Sequence, residues 1–290
     1  MAESDINDCF DFVAPDSIIE VRRDEATAAP LAEAAPTADE FGFVPVTAGI
    51  EDFAAEMQRV VETIAAADPD LIGTQELFQL QGDYLVGKLP QYSWFGIDRR
   101  GGHADEHMGV FYRRDRLKLV EHGDFWLSDT PEKTGSISWG NLYPRMVTWG
   151  LFETRAGKRF YLLNTHFPYR AEDAAAREKC ARLLRARIAA LPRGVPVVLT
   201  GDFNTGPDSA PHALLGEMLS DARDATAKPL GPEATFHGFK GVPDHRIDWI
   251  LTRGFAARGY RTIDAHRGAL YPSDHFPVVA TLGWQGTKRP

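Results

Sequence analysis

The sequence predicts an α/β domain, and three observations support this fold class. The chain has 290 residues, of which 43% are hydrophobic and 25% charged, so it is globular and long enough to bury a sizeable core. Short apolar runs of strand length recur along it, and two longer stretches place apolar residues at helical spacing. The strands alternate only partly with the helices and are too numerous for one small sheet. Because no internal repeat and no second linker interrupt the pattern, one domain is favoured over two.

The start of the chain predicts a flexible leader. Residues 24–40, DEATAAPLAEAAPTADE, are rich in alanine, proline and acidic residues and lack apolar periodicity. Ordered structure is expected from FGFVPVTAG onward. This divides the chain into an acidic, Ala- and Pro-rich leader over residues 1–40 and a folded domain over residues 41–285.

Helices and strands follow in order along the domain. The first helix covers IEDFAAEMQRVVETIAAADPD, where Phe53, Met57, Val60, Val61 and Ile64 fall at helical spacing and an Asp-Pro pair ends the element. A second long helix covers EDAAAREKCARLLRARIAAL. Strands are predicted at LIGTQE, YSWFGI, MGVFYR, VTWGLFE, RFYLLNTHF, VPVVLTGDF, RIDWILT and FPVVATL.

Net charge and cysteine content bear on partners and compartment. A net charge of −9 disfavours a protein that coats nucleic acid, because such binding depends on Lys and Arg that displace counterions. It does not exclude a nuclease, since a bound metal supplies positive charge locally. Cys9 and Cys180 offer neither a disulfide framework nor metal-ligand spacing. With no apolar run of membrane-spanning length and no signal-peptide pattern near the start, a cytoplasmic protein is expected.

Polar and ionisable residues stand where the apolar runs end or begin. One such residue on a strand is ordinary, but several at matching ends indicate a shared pocket, because open sheets present ligand sites at strand ends. The residues are Glu76, His166, Asp202, Asn204, Asp248, Asp274 and His275.

The segment LTGDFNTGPDS has two interpretations. In a strand, residues i and i+2 share a face, so Asp202 and Asn204 would point together into a cleft. Alternatively the segment is an ordinary turn, because Asp, Asn, Gly and Pro all favour turns. The other polar strand ends favour the cleft.

Five motifs occur in order along the chain: QE after a strand, NTH, GDFN, RIDWI and SDHFPV. In this order they resemble the endonuclease/exonuclease/phosphatase superfamily of metal-dependent phosphoesterases. The context of DEHMGVFYRRDRL, FWLSDTP and TFHGF is similar to its bacterial branch. The resemblance implies an α/β fold of four layers, an α/β/β/α sandwich with two mixed β-sheets packed face to face and helices outside.

The resemblance also implies roles for single residues. Glu76 matches the ligand of Mg²⁺ or Mn²⁺, hard cations that prefer oxygen donors. His275 matches the histidine that acts at the scissile phosphate, where an imidazole can move a proton at neutral pH. Asp248 is the favoured orienting partner of His275. Asp274 would point to the opposite face of an extended strand, so it is assigned to the metal instead.

The remaining implied roles concern the water and the phosphate. Asp202 and Asn204 would position the attacking water and a phosphate oxygen, and whether Asp202 or the His275 pair takes the proton of that water stays open. His166, with Glu106 as its expected partner, resembles a second acid–base or phosphate-stabilising pair. Arg145 and Arg177 match recurrent arginines of this branch and are expected to hold phosphate.

The implied activity is metal-dependent cleavage of a phosphodiester or phosphomonoester by an activated water. The substrate partner stays open among a small phosphorylated molecule, a lipid headgroup and nucleic acid, although the acidic charge favours a small molecule. One alternative is a nuclease. Another is a catalytically impaired member that binds a phosphate ligand without turnover.

One residue of the family pattern is missing. Members begin with a strand that ends in an asparagine, and the corresponding window here, EFGFVPVTAG, contains none. Its end is formed by Thr47, Ala48 and Gly49. The favoured interpretation is that water fills the vacant coordination position, because Mg²⁺ tolerates water in its shell.

Overall fold

Strands dominate the architecture, which the computed structural model describes for residues 17–21 and 49–285. The strands in these ranges are β1 (Ser17–Val21), β2 (Leu71–Gly73), β3 (Tyr92–Phe95), β4 (Val110–Arg113), β5 (Leu117–Trp126), β6 (Met146–Thr154), β7 (Arg159–His166), β8 (Val197–Asp202), β9 (Ser220–Asp221), β10 (Asp248–Arg253), β11 (Phe255–Thr262) and β12 (Val278–Trp284). The helices are α1 (Gly49–Ala67), α2 (Gln79–Lys88), α3 (Ala174–Ala190) and α4 (Ala210–Gly216), and a 3₁₀ turn at Ala171–Asp173 leads into α3. In these ranges, no helix has the length and apolarity needed to cross a membrane.

The strands form two six-stranded mixed sheets. The first has the order β11-β12-β1-β2-β4-β3, and the second has the order β5-β6-β7-β8-β10-β9. β7 and β8 run parallel, so the chain must cross back between them, and α3 provides this connection. β8 and β10 are antiparallel.

Alternating apolar residues give the central strands two buried faces. Leu162 on β7 lies in the core between the two sheets. Its neighbour Leu163 points to the other side and packs in a second core with Leu184 of α3. On the first sheet, Ile72 packs in a third core with Ile64 of α1. The layers are therefore α1 with α2, first sheet, second sheet, and α3 with α4, which confirms the predicted four-layered sandwich.

The predicted helices and strands are present, and two long strands were missed. Among the described strands, β5 and β11 lie at the edges of their sheets, where one side pairs with no other strand. Their sequences, LKLVEHGDFW and FAARGYRT, carry polar side chains that an edge position tolerates. Apolar periodicity therefore identified most of the central strands and the edge strand β3, and it failed for the polar edge strands β5 and β11.

Residues 17–21, which fall within the predicted leader over residues 1–40, form a strand in the structure. These residues form β1, which pairs parallel with β12 and antiparallel with β2. Because β1 runs opposite to β2, its last residue, Val21, lies away from the end of β2 that leads to Glu76. The rest of the predicted leader, and the window 41–48 with Thr47 and Ala48, lie outside the described residues. Gly49 begins α1 rather than ending a strand.

Candidate active site

The core between the sheets becomes polar at one end. Leu162, Val198 and Ile250 belong to the apolar part of this core, and every second residue from them faces the same way. The inward positions are Leu162, Asn164 and His166 on β7, Val198, Thr200 and Asp202 on β8, and Ile250 and Asp248 on β10. Along each strand, the inward side chains thus change from apolar to ionisable within two or three inward positions. The ionisable residues of all three strands lie at the same end of the core.

Strand register places three ionisable residues in one row. His166 is paired with Asp202 across the parallel strands β7 and β8. Asp248 is paired with the same Asp202 across the antiparallel strands β8 and β10. The Nε2 atom of His166 lies 3.5 Å from Oδ2 of Asp202. The three residues are far apart in the sequence, and the pairing of three strands brings them into one row.

His275 extends the row from the loop before β12. Its Nδ1 lies 2.9 Å from Oδ2 of Asp248, the partner favoured from the sequence. Asp248 is fully buried, and its Oδ1 has no hydrogen-bond partner among the described residues. A carboxylate in this position fixes the histidine tautomer with the proton on Nδ1, so the ring exchanges its other proton at Nε2.

Asp202 and Asn204 meet through a turn rather than along a strand. β8 ends at Asp202, and Asn204 adopts a left-handed conformation with φ of 49°, which asparagine tolerates. The backbone N–H of Asn204 donates to Oδ1 of Asp202 at 2.7 Å. The side-chain Nδ2 of Asn204 lies 2.9 Å from Nε2 of His166. Burial and the nearby Asp248 raise the pKa of Asp202. Both interpretations of this segment were therefore partly right, since a turn aims both side chains into the cleft.

Glu76 follows β2 and faces the row from the first sheet. Its φ of 52° is in the left-handed region, which is unusual for a glutamate and indicates a local structure that enforces it. One carboxylate oxygen, Oε1, lies 3.8 Å from Nδ1 of His166. Burial and the neighbouring Glu106 raise the pKa of Glu76 to about 7.

A buried amide holds the segment that precedes Glu76. Oδ1 of Asn164 accepts hydrogen bonds from Nε2 of Gln75 at 2.6 Å and from Oγ1 of Thr200 at 2.9 Å. Its Nδ2 donates to the carbonyls of Thr74 at 2.7 Å and Gly109 at 3.2 Å. The amide is fully satisfied, and it joins β7 in the second sheet to the end of β2 in the first.

A glycine makes this close approach of the two sheets possible. A Cβ atom at Gly73 would lie 2.5 Å from Oδ1 of Asn164 and 2.5 Å from Oγ1 of Thr200. Any larger residue would have to displace the hydrogen-bonded amide. Glycine at this position therefore keeps the strand leading to Glu76 against the strand carrying His166.

Glu106 is near His166 but is not hydrogen-bonded to it. Its Oε2 lies 2.5 Å from Nη1 of Arg99, whose Nη2 lies 3.0 Å from Asp105. The carboxylates within 4 Å of the ring nitrogens of His166 are those of Asp202, at 3.5 Å, and Glu76, at 3.8 Å. Glu106 therefore pairs with the guanidinium of Arg99 through a charge-assisted contact, and its expected pairing with His166 stays a prediction.

The two predicted arginines have different surroundings. Arg145 is buried in the cleft lining, and its Nη1 has no hydrogen-bond partner among the described residues. Arg177 instead donates from Nη1 to the carbonyls of Pro168 and Arg170, both at 2.8 Å, and it does not line the cleft. The expectation that Arg177 holds phosphate is not supported, because these backbone contacts use its guanidinium to fix the loop after β7.

One cleft of about 980 Å³ is lined by Glu76, Arg145, His166, Asp202 and His275. Its charged and titratable lining residues are Glu76, Arg99, Asp105, Glu106, Arg145, His166, Asp202, His245, Asp274 and His275. Asp274 lies in the loop before β12 rather than in an extended strand, and it shares the cleft with His275. Aromatic side chains complete the lining: Phe78, Tyr143, Tyr169 and Phe236.

The donor set fits a hard divalent cation. Two groups bring their ligand atoms within 4.8 Å of one another: Glu76 with Glu106 and His166, and Asp202 with Asp248 and His275. Burial and the carboxylates of Glu106 and Asp274 raise the pKa of Glu76. The nearby positive charges of the protein therefore do not fully balance the negative charge of these carboxylates. A cation would stabilise the ionised form, and carboxylate oxygens are the ligands that Mg²⁺ prefers.

Several residues of the site were missed from the sequence. Asn164 stands two residues before His166 in NTH, so period-2 spacing would have placed it on the same face. Asp105 lies in a polar segment, DRRGGHADE, which is typical of a solvated loop. Tyr143 and Tyr169 are isolated aromatics in loops, and no local signal distinguishes them from core residues.

Two stacked mixed sheets with a cleft of carboxylates and histidines at one end define an α/β sandwich of the phosphoesterase type. The chain belongs to the Endonuclease/Exonuclease/phosphatase family, which residues 47–275 match. Members of this family are hydrolytic phosphoesterases and nucleases. The resemblance predicted from the five motifs is therefore confirmed.

Solved structures of bacterial relatives have the same fold. A Bacteroides vulgatus endonuclease/exonuclease/phosphatase superposes with a TM-score of 0.76 at 30% identity, covering 82% of this chain and 93% of that one. A Bacteroides thetaiotaomicron protein named a mannosyl-6-phosphatase gives a TM-score of 0.73 at 31% identity, covering 81% and 95%. Protein angel of Drosophila melanogaster is 24% identical over 208 residues. That alignment covers 67% of this chain, and the chain spans only 56% of the length of that relative.

Proposed function

We propose that the protein is a metal-dependent hydrolase of small organic phosphoesters. The observation that carries this proposal is the row of His166, Asp202 and Asp248 across three strands, extended by His275 and faced by Glu76 across one cleft. Such a site combines a carboxylate cluster for a cation with two positioned imidazoles. Membership of a family of phosphoesterases and nucleases supports the reaction class.

Glu76 and Asp274 are the residues proposed to hold Mg²⁺ or Mn²⁺. Both line the cleft, and the negative charge of Asp274 contributes to the raised pKa of Glu76. A divalent cation bound there would place positive charge beside a phosphate oxygen and would stabilise the negative charge that develops on it.

Asp202 is proposed as the base that accepts the proton of the attacking water. Burial and Asp248 raise its pKa, so its carboxylate is a better proton acceptor than an exposed aspartate. The backbone N–H and the amide of Asn204 both contact this carboxylate and fix its orientation. His275, oriented by Asp248, would donate a hydrogen bond or proton to the phosphate or the leaving oxygen.

His166 and Arg145 are proposed to hold the phosphoryl oxygens. The pKa of His166 is well below its ordinary value because the ring is buried and lies near Arg145, so it acts as a neutral donor or acceptor. Arg145 presents a buried Nη1 without a partner among the described residues, and an anion in the cleft would satisfy it.

The charge of the cleft favours a small substrate over a polynucleotide. Its lining carries five carboxylates, Glu76, Asp105, Glu106, Asp202 and Asp274, against the guanidiniums of Arg99 and Arg145. A nucleic-acid strand presents successive phosphates and requires a basic track along the groove. Similarity to a protein named a mannosyl-6-phosphatase supports a phosphomonoester substrate.

Two chromogenic substrates test the proposal. We expect the purified protein to hydrolyse p-nitrophenyl phosphate or bis(p-nitrophenyl) phosphate with Mg²⁺, and the ratio of the two rates gives the preference for monoester or diester. Hydrolysis should fall by at least about 10²-fold in excess EDTA, since a bound metal contributes several kcal/mol to the transition state. Undiminished hydrolysis in EDTA would contradict the metal mechanism. Binding of inorganic phosphate without hydrolysis of either ester would instead support the catalytically impaired alternative.

A further inference from the structure

Two tyrosines on the rim of the cleft expose their rings to solvent. Tyr143, in the loop before β6, is 38% exposed, and Tyr169, in the loop after β7, is 53% exposed. Both line the cleft that holds the ionisable row. Each ring also covers an arginine of the lining: the centroid of Tyr143 lies 4.6 Å from Cζ of Arg99, and that of Tyr169 lies 6.0 Å from Cζ of Arg145. Exposed aromatic surface beside a polar site is typical of a ligand-binding face.

The backbone beside each tyrosine is fixed before any ligand binds. Arg177 donates to the carbonyls of Pro168 and Arg170, the residues on either side of Tyr169. Arg170 in turn donates from Nη2 to the carbonyl of Gly140 at 2.6 Å, which ties this loop to the one that carries Tyr143. A tyrosine side chain has few rotatable bonds, so on a fixed backbone these rings lose little conformational entropy when they stack on a ligand, and their contact area contributes to affinity efficiently.

Hydrogen-bond acceptors stand beside the ring of Tyr143. Asp105 and Glu106 are held by the guanidinium of Arg99, at 3.0 Å and 2.5 Å, and that guanidinium lies over the tyrosine ring. Ionised carboxylates accept hydrogen bonds and donate none, so they suit a ligand that offers several hydroxyl groups.

We infer that the substrate carries a hydroxyl-rich ring, as in a monosaccharide phosphate, and that Tyr143, Tyr169 and Asp105 recognise this ring. The inference rests on the proposed function for the phosphate end of the cleft. The ring stacks on the tyrosines through its apolar C–H face, and its hydroxyls donate to Asp105. A cleft of about 980 Å³ has room for a sugar beside the phosphate.

Substrate pairs that differ in the leaving group test the inference. We would measure kcat/KM with Mg²⁺ for glucose 6-phosphate, mannose 6-phosphate, the acyclic glycerol 3-phosphate and adenosine 5′-monophosphate. The variants are Tyr143→Ala, Tyr169→Ala and the corresponding phenylalanine substitutions. Leu142→Ala is the matched control, because Leu142 is an exposed neighbour, 49% accessible, that does not line the cleft.

The expected result is a change in preference. The ratio of kcat/KM for the sugar phosphates to that for glycerol 3-phosphate should fall about tenfold in each alanine variant, mainly through KM, because stacking is lost from bound substrate and transition state alike. Phenylalanine should restore the ratio, and Leu142→Ala should leave it unchanged. Equal losses on cyclic and acyclic substrates, or no preference for a ring in the unaltered protein, would overturn the inference.

Two further outcomes separate this inference from the proposed function. A tyrosine-dependent preference for adenosine 5′-monophosphate would identify the ring as a base and overturn the sugar assignment. If no ester is hydrolysed, the proposed function fails, and binding of glucose 6-phosphate measured by calorimetry in EDTA still tests the rim. A Kd that rises about tenfold in Tyr143→Ala but not in Leu142→Ala would support the inferred role of the tyrosines. A Kd that neither substitution changes would refute this role.

Discussion

Replacing Asn164 with alanine is expected to destabilise the fold and to weaken metal binding together. The side chain is fully buried and makes four hydrogen bonds, to Gln75, Thr200, Thr74 and Gly109. At about 1 kcal/mol for each neutral hydrogen bond, their loss costs roughly 4 kcal/mol of unfolding free energy. Oγ1 of Thr200 also has the carbonyl of Leu163 at 3.4 Å as an alternative partner, which limits the loss at that atom. We therefore expect about 3–5 kcal/mol, a large part of the roughly 5–15 kcal/mol of an ordinary domain.

Thr165→Val is the matched control for this substitution. Thr165 is the next residue on β7, is fully buried, and donates one hydrogen bond from Oγ1 to the carbonyl of Met146 at 2.8 Å. It points to the opposite face of the strand, away from the core between the sheets. Urea denaturation should give a loss of about 1 kcal/mol for Thr165→Val, well below that of Asn164→Ala.

Metal affinity distinguishes a positioning role of Asn164 from a purely structural one. Thr74 and Gln75, which bond to the side chain of Asn164, immediately precede Glu76. Loss of these hydrogen bonds should therefore loosen Glu76, the proposed metal ligand. Removal of such a supporting contact typically costs about 10–100-fold in metal affinity. Mn²⁺ titration followed by electron paramagnetic resonance should show this increase in Kd for folded Asn164→Ala and no change for Thr165→Val. Equal Mn²⁺ affinities in the two variants, or equal stability losses, would refute the reasoning.

Three other outcomes are expected for the site. Glu76→Gln should abolish Mn²⁺ binding and lower Mg²⁺-dependent hydrolysis by orders of magnitude with little change in circular dichroism, since a metal contributes several kcal/mol to catalysis; tight Mn²⁺ binding by this variant would remove Glu76 from the metal site. Asp248→Asn and His275→Ala should each lower kcat by about 10²–10⁴-fold, and the double variant should be little worse than the worse single one; fully multiplicative losses would contradict their action as a pair. The pKa of Glu76 is raised from 4.5 to about 7 in the folded protein, so its contribution to stability is complete below pH 4.5 and is lost as pH rises through 7. The metal-free protein should therefore lose stability between about pH 4.5 and 7 more steeply than Glu76→Gln, as measured by thermal unfolding; parallel pH profiles would show that Glu76 titrates normally.

Local pattern was sufficient for the central elements of the fold. α1 and α3 follow from apolar residues at helical spacing, and β7, β8 and β10 from apolar runs whose two faces are both buried. The family was predictable too, because its five motifs are short, ordered and carried by these strands. The same method failed for the edge strands β5 and β11, where several side chains are exposed or half-buried, and for β1, whose neighbours in the sheet are distant in sequence.

The sequence by itself determined which kinds of side chain stand at the strand ends, and the tertiary structure decided which of them meet. Period-2 alternation is a local property, so it placed His166, Asp202 and Asp248 at inward positions. Contacts across strands depend on register and sheet order, which no single segment contains. Register put Asp202 between the other two. Contacts within a loop paired Glu106 with Arg99, and contacts between α3 and the loop after β7 directed Arg177 to backbone carbonyls. Packing of the two sheets brought Asn164 against the segment before Glu76, a contact between residues about ninety positions apart that depends on the close approach Gly73 permits.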